Sequence, residues 1–201
     1  MGGDVLDTIY PDICAACGTN TSIKDDVFCF VCKRQVLATD HFKVKENEVL
    51  LRLHGRVNVK HGAALLHFIK SGKVQKVIHK LKYGRRGDIA IKLGKQFGEQ
   101  LLKSDLFELP DMIIPVPLHP KREWKRGYNQ SKLFADGING VLGCSVSSKH
   151  LIKKTHIVSQ TSKLRSDRFE NVLKSFEIRK PESLIGQSIL LTDDVLTTGA
   201  T

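Results

Sequence analysis

Residues 189–201 read ILLTDDVLTTGAT, and the order of residue types in that stretch decides the fold. An apolar run ends in two adjacent carboxylates, Asp193 and Asp194, and then in a small, hydroxyl-rich loop of Thr197, Thr198, Gly199, Ala200 and Thr201. In open α/β sheets ligands bind at the carboxyl ends of strands, where a loop leads away from the sheet. Gly199 permits a tight or left-handed turn, and successive amides in such a turn form a nest for phosphate oxygens. The hydroxyls of Thr197, Thr198 and Thr201 add donors to the same anion. A carboxylate aimed at that anion repels it, so Asp193 and Asp194 are expected to accept hydroxyls of an attached sugar instead. A magnesium-dependent phosphoryl-acceptor site also uses paired aspartates, but it requires no glycine-threonine loop so close behind them. A plain strand end followed by a helix cap requires less than this pattern supplies.

Working outward, SILLTDD (188–194) reads as a strand buried on both faces. Met112–Val116 is a second short apolar run, punctuated by prolines, and reads as a buried strand ending in a loop. Val74, Val77, Ile78 and Leu81 recur at helical spacing, as do Ile89, Leu93, Phe97 and Leu101, which predicts two amphipathic helices separated by the basic turn YGRRGD (83–88). Leu133, Phe134, Ile138, Val141 and Leu142 share a third helical face, with Asn129 or Ser131 placed to cap its start. A further helical stretch is expected after QTSKL (160–164). Strands alternating with helices argue for an α/β fold with a parallel sheet.

The amino-terminal segment is of another kind. Cys14, Cys17, Cys29 and Cys32 are spaced C-x2-C-x11-C-x2-C in CAACGTNTSIKDDVFCFVC (14–32). Each pair can set two thiolates on one small turn, and a hairpin between the pairs brings four sulfurs to the corners of a tetrahedron. Gly18, directly after the first pair, suits a turn that offers backbone amides to the sulfurs. Disulfides compete with zinc for such a pattern, but the N-terminus lacks the basic-then-apolar order of an export signal, and zinc is the expected ligand. Four cysteines close the coordination shell, which makes the zinc structural rather than catalytic. Cys144 stands alone and reads as a small buried apolar residue. The expected organisation is therefore a zinc module over 1–36, a connector over 37–60 of no assigned structure, and an α/β domain over 61–201.

The chain has 201 residues, 41% of them hydrophobic and 26% charged, as in a soluble globular protein. No apolar run is long enough to insert in a membrane, and a cytoplasmic location is expected. Lys and Arg number 32 against 21 Asp and Glu, a formal charge of +11. Such a balance draws in polyanions, nucleic acid or a phosphorylated small molecule, although a lysine-rich surface also serves solubility. In REWKRGYNQ (122–130), Trp124 and Tyr128 are interleaved with basic residues, the mixture of charge and aromatic faces that grips single-stranded nucleic acid.

The stretch ILLTDDVLTTGAT resembles the phosphoribosyl-pyrophosphate motif of type I phosphoribosyltransferases. Together with the four-cysteine module, PVPLHPKREWKRGYNQS (115–131) and SQTSKLRSDRFENV (159–172), it resembles the ComF family of late-competence proteins, which are related to amidophosphoribosyltransferases. The resemblance implies a phosphoribosyltransferase-like domain over 61–201 that binds phosphoribosyl pyrophosphate with magnesium and is linked to uptake and handling of single-stranded DNA, with a helicase-type competence partner. The alternative is an active amidophosphoribosyltransferase-like or nucleobase phosphoribosyltransferase with no DNA role. By that resemblance Asp193 and Asp194 hold the ribose hydroxyls, and Thr197, Thr198, Gly199, Ala200 and Thr201 cradle the 5-phosphate. Lys121, Arg122, Lys125 and Arg126, in the loop expected after the first core strand, meet the pyrophosphate. Gln160, Arg165 and Arg168 belong to a flexible loop that closes over the substrate and are its candidate catalytic residues. Magnesium comes with the substrate, held by its oxygens and water. The family's motif leads into a helix, whereas this sequence stops at Thr201, so the domain is read as one that can be cut short at its C-terminal end.

Overall fold

A computed structural model describes residues 12–21, 26–154 and 175–197. The two helices expected around the basic turn are present as α3 (Lys73–Tyr83) and α4 (Asp88–Lys103). The chain before them holds two short helices, α1 (Phe30–Lys33) and α2 (Glu48–Leu53). Strand β1 (Met112–Pro115) follows, then helices α5 (Pro120–Arg126) and α6 (Gln130–Leu142). Four further strands complete the described chain: β2 (Ser145–Val146), β3 (Leu151–Lys153), β4 (Phe176–Ile178) and β5 (Ile189–Thr192). A 3-10 turn over Pro181–Leu184 separates the last two.

The fold is mixed α/β with a parallel sheet. Its strand order is β2-β1-β5, all parallel, while β3 and β4 form a separate antiparallel pair. Strand β1 is central even though it ends in Pro115. The missing amide does no harm there, because the ladder continues through the Val116 amide, which donates to the Thr192 carbonyl at 2.9 Å. Strand β5 departs from the expectation of two buried faces: Ile189 is 37% and Leu191 57% exposed, while Thr192 is buried. It is the edge strand of the described sheet, covered on one side only, and an unbroken apolar run does not distinguish the two cases.

Helix α6 lies against α4 and covers one face of the sheet. The approach is close because glycine faces glycine. A Cβ on Gly94 would fall on the Phe134 carbonyl, and one on Gly137 would fall on the Ile91 carbonyl. Beside this contact Phe97 meets Phe42 and Phe134 edge to face, with ring centroids 5.1 and 5.5 Å apart, over Ile113, Ala135 and Ile138. A second core joins Cys14, Ala15, Ala16, Val27, Phe28 and Cys32 to Val77, Ile89 and Leu93. Leu65 and Phe134 pack against both cores, so the cysteine-bearing segment and the helices share one continuous interior.

Residues 37–60 are ordered by polar contacts. Asn47 caps α2, its Oδ1 accepting from the Val49 and Leu50 amides while its Nδ2 donates to the Gly62 carbonyl at 2.9 Å. His41 is buried, with Nδ1 accepting from the Ala64 amide at 3.2 Å and Nε2 2.6 Å from Glu48 Oε2. The accepting Nδ1 leaves the ring proton on Nε2, where it is donated to the carboxylate.

The glycine contact yields a paired prediction. Gly94→Ala overpacks the α4–α6 interface and lowers unfolding free energy by about 1–3 kcal/mol. Gly140, on α6 with open space around it, gains about 0.5–1 kcal/mol on substitution by alanine through helix propensity. Urea unfolding of the two variants measures the difference in sign.

Candidate functional site

The cysteine cluster forms as its spacing predicts. The four Sγ atoms of Cys14, Cys17, Cys29 and Cys32 lie within 4.8 Å of one another, and Cys17 and Cys29 are 3.6 Å apart. Zinc–sulfur bonds in a tetrahedron put sulfurs about 3.8 Å apart, so the donor set fits a structural zinc. Gly18 adopts φ +83° and its amide donates to the Cys14 carbonyl at 2.9 Å, closing the first turn, while Cys29 sits at the start of α1. Without a cation the sulfurs are unlike one another. The Thr19 hydroxyl, 3.0 Å from Cys17 Sγ, is the main cause that brings that thiol down to about 6, whereas burial and then its neighbouring cysteines push Cys32 up to about 12. A divalent ion at the centre is what permits all four to be thiolates together. Cys144 is half-buried beside the core of Phe97, Ile113 and Ile138, and burial raises its thiol.

The second site lies at the carboxyl edge of the parallel sheet. Pro115 pairs with Thr192, so the segments leaving β1 and β5 emerge side by side. The first runs into α5, the second into Asp193 and Asp194. Helix α6 begins at the same edge, capped by Asn129, whose Oδ1 accepts from the Ser131 amide at 3.0 Å while its Nδ2 donates to the Val116 carbonyl at 3.1 Å. The side chains of the first two residues of α6 take the acids. Ser131 Oγ donates to Asp193 Oδ1 at 3.0 Å, and Gln130 Nε2 donates to Asp194 Oδ2 at 2.9 Å. Lys82, in the last turn of α3, pairs with the same Asp194 oxygen at 2.8 Å. Burial, and then the neighbouring Asp194, raise the Asp193 carboxyl above the usual carboxylate range. Lys153 on β3 is lowered by burial and by Arg122, against which Asp193 acts. The Arg52 guanidinium on α2 donates to the Thr197 carbonyl, tying the connector to the loop after the acids.

Lys121, Arg122, Lys125 and Arg126 occupy helix α5, not a loop. Pro120 supplies the preset φ of a first helical position, the His119 imidazole accepts from the Lys121 amide, and Gly127 closes the helix at φ +84°. The helix sets the four cations on two adjoining strips of its surface, because i and i+4 lie together and i+3 lies beside them. Arg122 and Arg126 share one: Arg122 stands toward Lys153, and Arg126 lies over the Tyr83 ring at 5.7 Å with a buried Nη1 that has no partner. Lys121 and Lys125 share the other with Trp124, which is 88% exposed. Gln160, Arg165, Arg168, Thr198, Gly199, Ala200 and Thr201 lie outside the described residues. Sequence reasoning overlooked Lys82, Gln130, Ser131, Lys153 and Arg52, which reach the site from four other elements.

An α/β protein with a four-cysteine module and an acid pair at the carboxyl edge of its sheet is thus the class that fold and site define. No protein-family model matches the chain, and no solved structure matches it. Among curated proteins it is 33% identical to the DNA utilization protein YhgH of Salmonella typhimurium over 128 residues, 62% of this chain and 56% of that protein. It is 33% identical over 95 residues to Competence protein F of Haemophilus influenzae, covering 47% of this chain and 42% of the relative. With Competence protein ComFC of Bacillus subtilis it shares 31% over 90 residues, 45% and 34% of the two chains. Over these stretches the chain is homologous to the YhgH and ComF-type proteins, and it spans a little over half the length of YhgH and less than half of the two competence proteins.

Because Cys14 and Cys32 stand in the same core as Val77, Ile89 and Leu93, loss of metal is expected to reach α3 and α4. Chelation at neutral pH, or Cys32→Ser, lowers the melting temperature of the whole chain and not of a separate small transition; scanning calorimetry with parallel zinc analysis measures it.

Proposed function

We propose that the carboxyl edge of the sheet binds phosphoribosyl pyrophosphate together with magnesium, in a protein that serves DNA utilization as its relatives' names describe. The observation that carries this reading is the acid pair after β5, held by Ser131, Gln130 and Lys82, with Lys153 near Asp193 and Arg122 in turn near Lys153. Oriented carboxylates accept vicinal hydroxyls, and guanidinium and ammonium groups beside them suit a diphosphate. Magnesium would be held by diphosphate oxygens and water, where it supplies charge neutralisation; no side chain here is assigned to it. The chemistry open to such a ligand is displacement at ribose C1, in which positive charge develops on the sugar as the C1–oxygen bond breaks and the departing diphosphate carries off the electron pair.

The test is calorimetric titration of the zinc-loaded chain with phosphoribosyl pyrophosphate and magnesium. Wild type binds, and Asp193→Asn weakens binding at least tenfold while leaving the melting temperature of the unliganded protein equal or higher. The second half follows from the sign of the Asp193 shift. A carboxyl raised in the folded state is destabilising when ionised, so removing its charge relieves the fold at neutral pH. Equal affinity of the two proteins refutes the assignment. Pyrophosphate release with a panel of amine and nucleobase acceptors measures turnover.

A second reading is favoured by one observation, the exposure of Trp124 between Lys121 and Lys125. That face is a stacking platform with flanking cations, suited to single-stranded DNA. Trp124→Ala is expected to weaken binding of an oligonucleotide about tenfold or more, at the 1–3 kcal/mol of one stacked base. Lys121→Gln with Lys125→Gln lowers the salt slope by roughly one to two units. The Trp124 change leaves phosphoribosyl pyrophosphate affinity unaltered, because Trp124 lies on the far side of α5 from Arg122 and Arg126. Fluorescence anisotropy at graded salt measures the first two, and the calorimetric titration the third.

A further inference from the structure

The ligand reading explains why two acids stand at the sheet edge, but not how they coexist there before a ligand arrives. Asp193 and Asp194 are sequence neighbours, and the Asp194 side chain is only 10% exposed. Two carboxylates withdrawn from water side by side repel each other, and the ordinary result is that one takes up a proton. A protonated carboxyl presents a hydroxyl of its own and loses acceptor capacity for the ligand's.

Lys82 answers that repulsion. Its ammonium reaches from the last turn of α3, with the side chain 25% exposed, to Asp194 Oδ2 at 2.8 Å. Gln130 Nε2 meets the same oxygen at 2.9 Å. Both partners therefore converge on one oxygen and immobilise the carboxylate from that side. Gln130 is itself 5% exposed, and its Oε1 is buried without a partner. A buried acceptor left unsatisfied is costly, and that cost accompanies the turning of the amide nitrogen to Asp194. Helix α3 is in turn anchored beside the site, since the Tyr128 hydroxyl donates to the Leu81 carbonyl at 2.6 Å and Arg126 covers the Tyr83 ring. The three consecutive residues Leu81, Lys82 and Tyr83 are thus each engaged at the carboxyl edge of a sheet to which α3 contributes no strand.

Resting on the sugar-phosphate reading of this edge, we propose that Lys82 is a positioning residue of the ligand site: paired to Asp194 beside Gln130, it offsets the repulsion between the adjacent carboxylates and orients them for the hydroxyls of a phosphorylated sugar. The charged and titratable groups around the pair are Lys82 from α3, Arg122 from α5, Lys153 from β3 and the two acids themselves, with neutral Ser131 and Gln130 from α6.

The experiment is calorimetric titration of phosphoribosyl pyrophosphate with magnesium into wild type, Lys82→Met, Lys82→Gln and Lys82→Arg, from mildly acidic to mildly alkaline pH. Thermal melting establishes that each variant is folded. Lys80→Met removes a charge from the same helix end without touching Asp194 and serves as the control. Wild-type affinity falls on the acid side as Asp193, whose carboxyl is raised, takes up its proton. The Met and Gln variants are expected to bind about tenfold more weakly at neutral pH, the effect of one charge-assisted contact. Their acid limb moves toward higher pH, because Lys82 acts against protonation of Asp193 and its removal favours it. The Arg variant regains wild-type affinity to within roughly threefold, and the control does not move the limb. Lys82→Gln keeps a hydrogen-bond donor and decides the matter if Lys82→Met does not fold. Wild-type binding with unchanged affinity and an unchanged pH profile in Lys82→Gln overturns this proposal alone. Absence of binding by wild type overturns the reading of the site, and the proposal with it.

Discussion

The approach of α4 to α6 is the constraint from which the rest of the architecture follows. Two helices can come this close only where neither backbone carries a side chain at the crossing, and Gly94 and Gly137 meet that condition for each other. The crossing fixes where α6 starts, and its first residues, Gln130 and Ser131, therefore fall at the carboxyl edge of the sheet opposite Asp194 and Asp193. The same α4 turns Ile89 and Leu93 toward the cysteine segment and Phe97 and Leu101 toward the sheet. One helix thus transmits the packing of the four-cysteine cluster to the packing beneath the acid pair. A closed four-sulfur site has no chemistry of its own. Its consequence is mechanical: it secures a short segment, which could not bury a core alone, against the helix that sets the ligand edge.

Much of this was legible because it depends on repetition or on a motif of rigid spacing. Helices α3 and α4 span three turns or more, so their apolar residues recur often enough to reveal the period. The cysteine pairs are tied by the coordination geometry of one ion. Strand β1 is short, but its prolines mark where it stops. The elements that escaped lack such redundancy. Helix α2 has six residues and is held by the Asn47 cap and by contacts to Gly62 and Ala64, which no periodicity discloses. Asn47 before Glu48 was the available signal, and alone it is a weak one. Helix α5 was read as a loop because its seven residues carry no apolar stripe at all; Pro120 at its start and Gly127 at its end were the signs of a helix. For β5, composition reports that a strand is apolar but not whether both of its faces are covered.

The candidate site was legible in kind and incomplete in membership, for a related reason. Acids at a strand end and a cluster of cations announce themselves locally. Lys82, Gln130, Lys153 and Arg52 are unremarkable in sequence, and become members of the site only because α3, α6, β3 and α2 all end or bend at the same edge. Side chains recruited across long stretches of chain have no spacing rule to betray them.

Charge at this edge is arranged by orientation more than by amount. The formal surplus of +11 is a property of the whole chain and attracts any polyanion. Selectivity requires that cations be divided among places where a given anion fits. Helix α5 makes that division with four basic residues in two turns: Arg122 stands toward Lys153 and Arg126 against the Tyr83 ring, while Lys121 and Lys125 on the adjoining strip flank an exposed indole. Had the segment been the loop its sequence suggested, the four charges would form a single diffuse cloud in which a small phosphorylated ligand and a nucleic acid compete for the same contacts. A rigid helix instead holds Trp124 on the side away from Arg122 and Arg126, with Lys121 and Lys125 between them, so that each cation keeps a fixed direction.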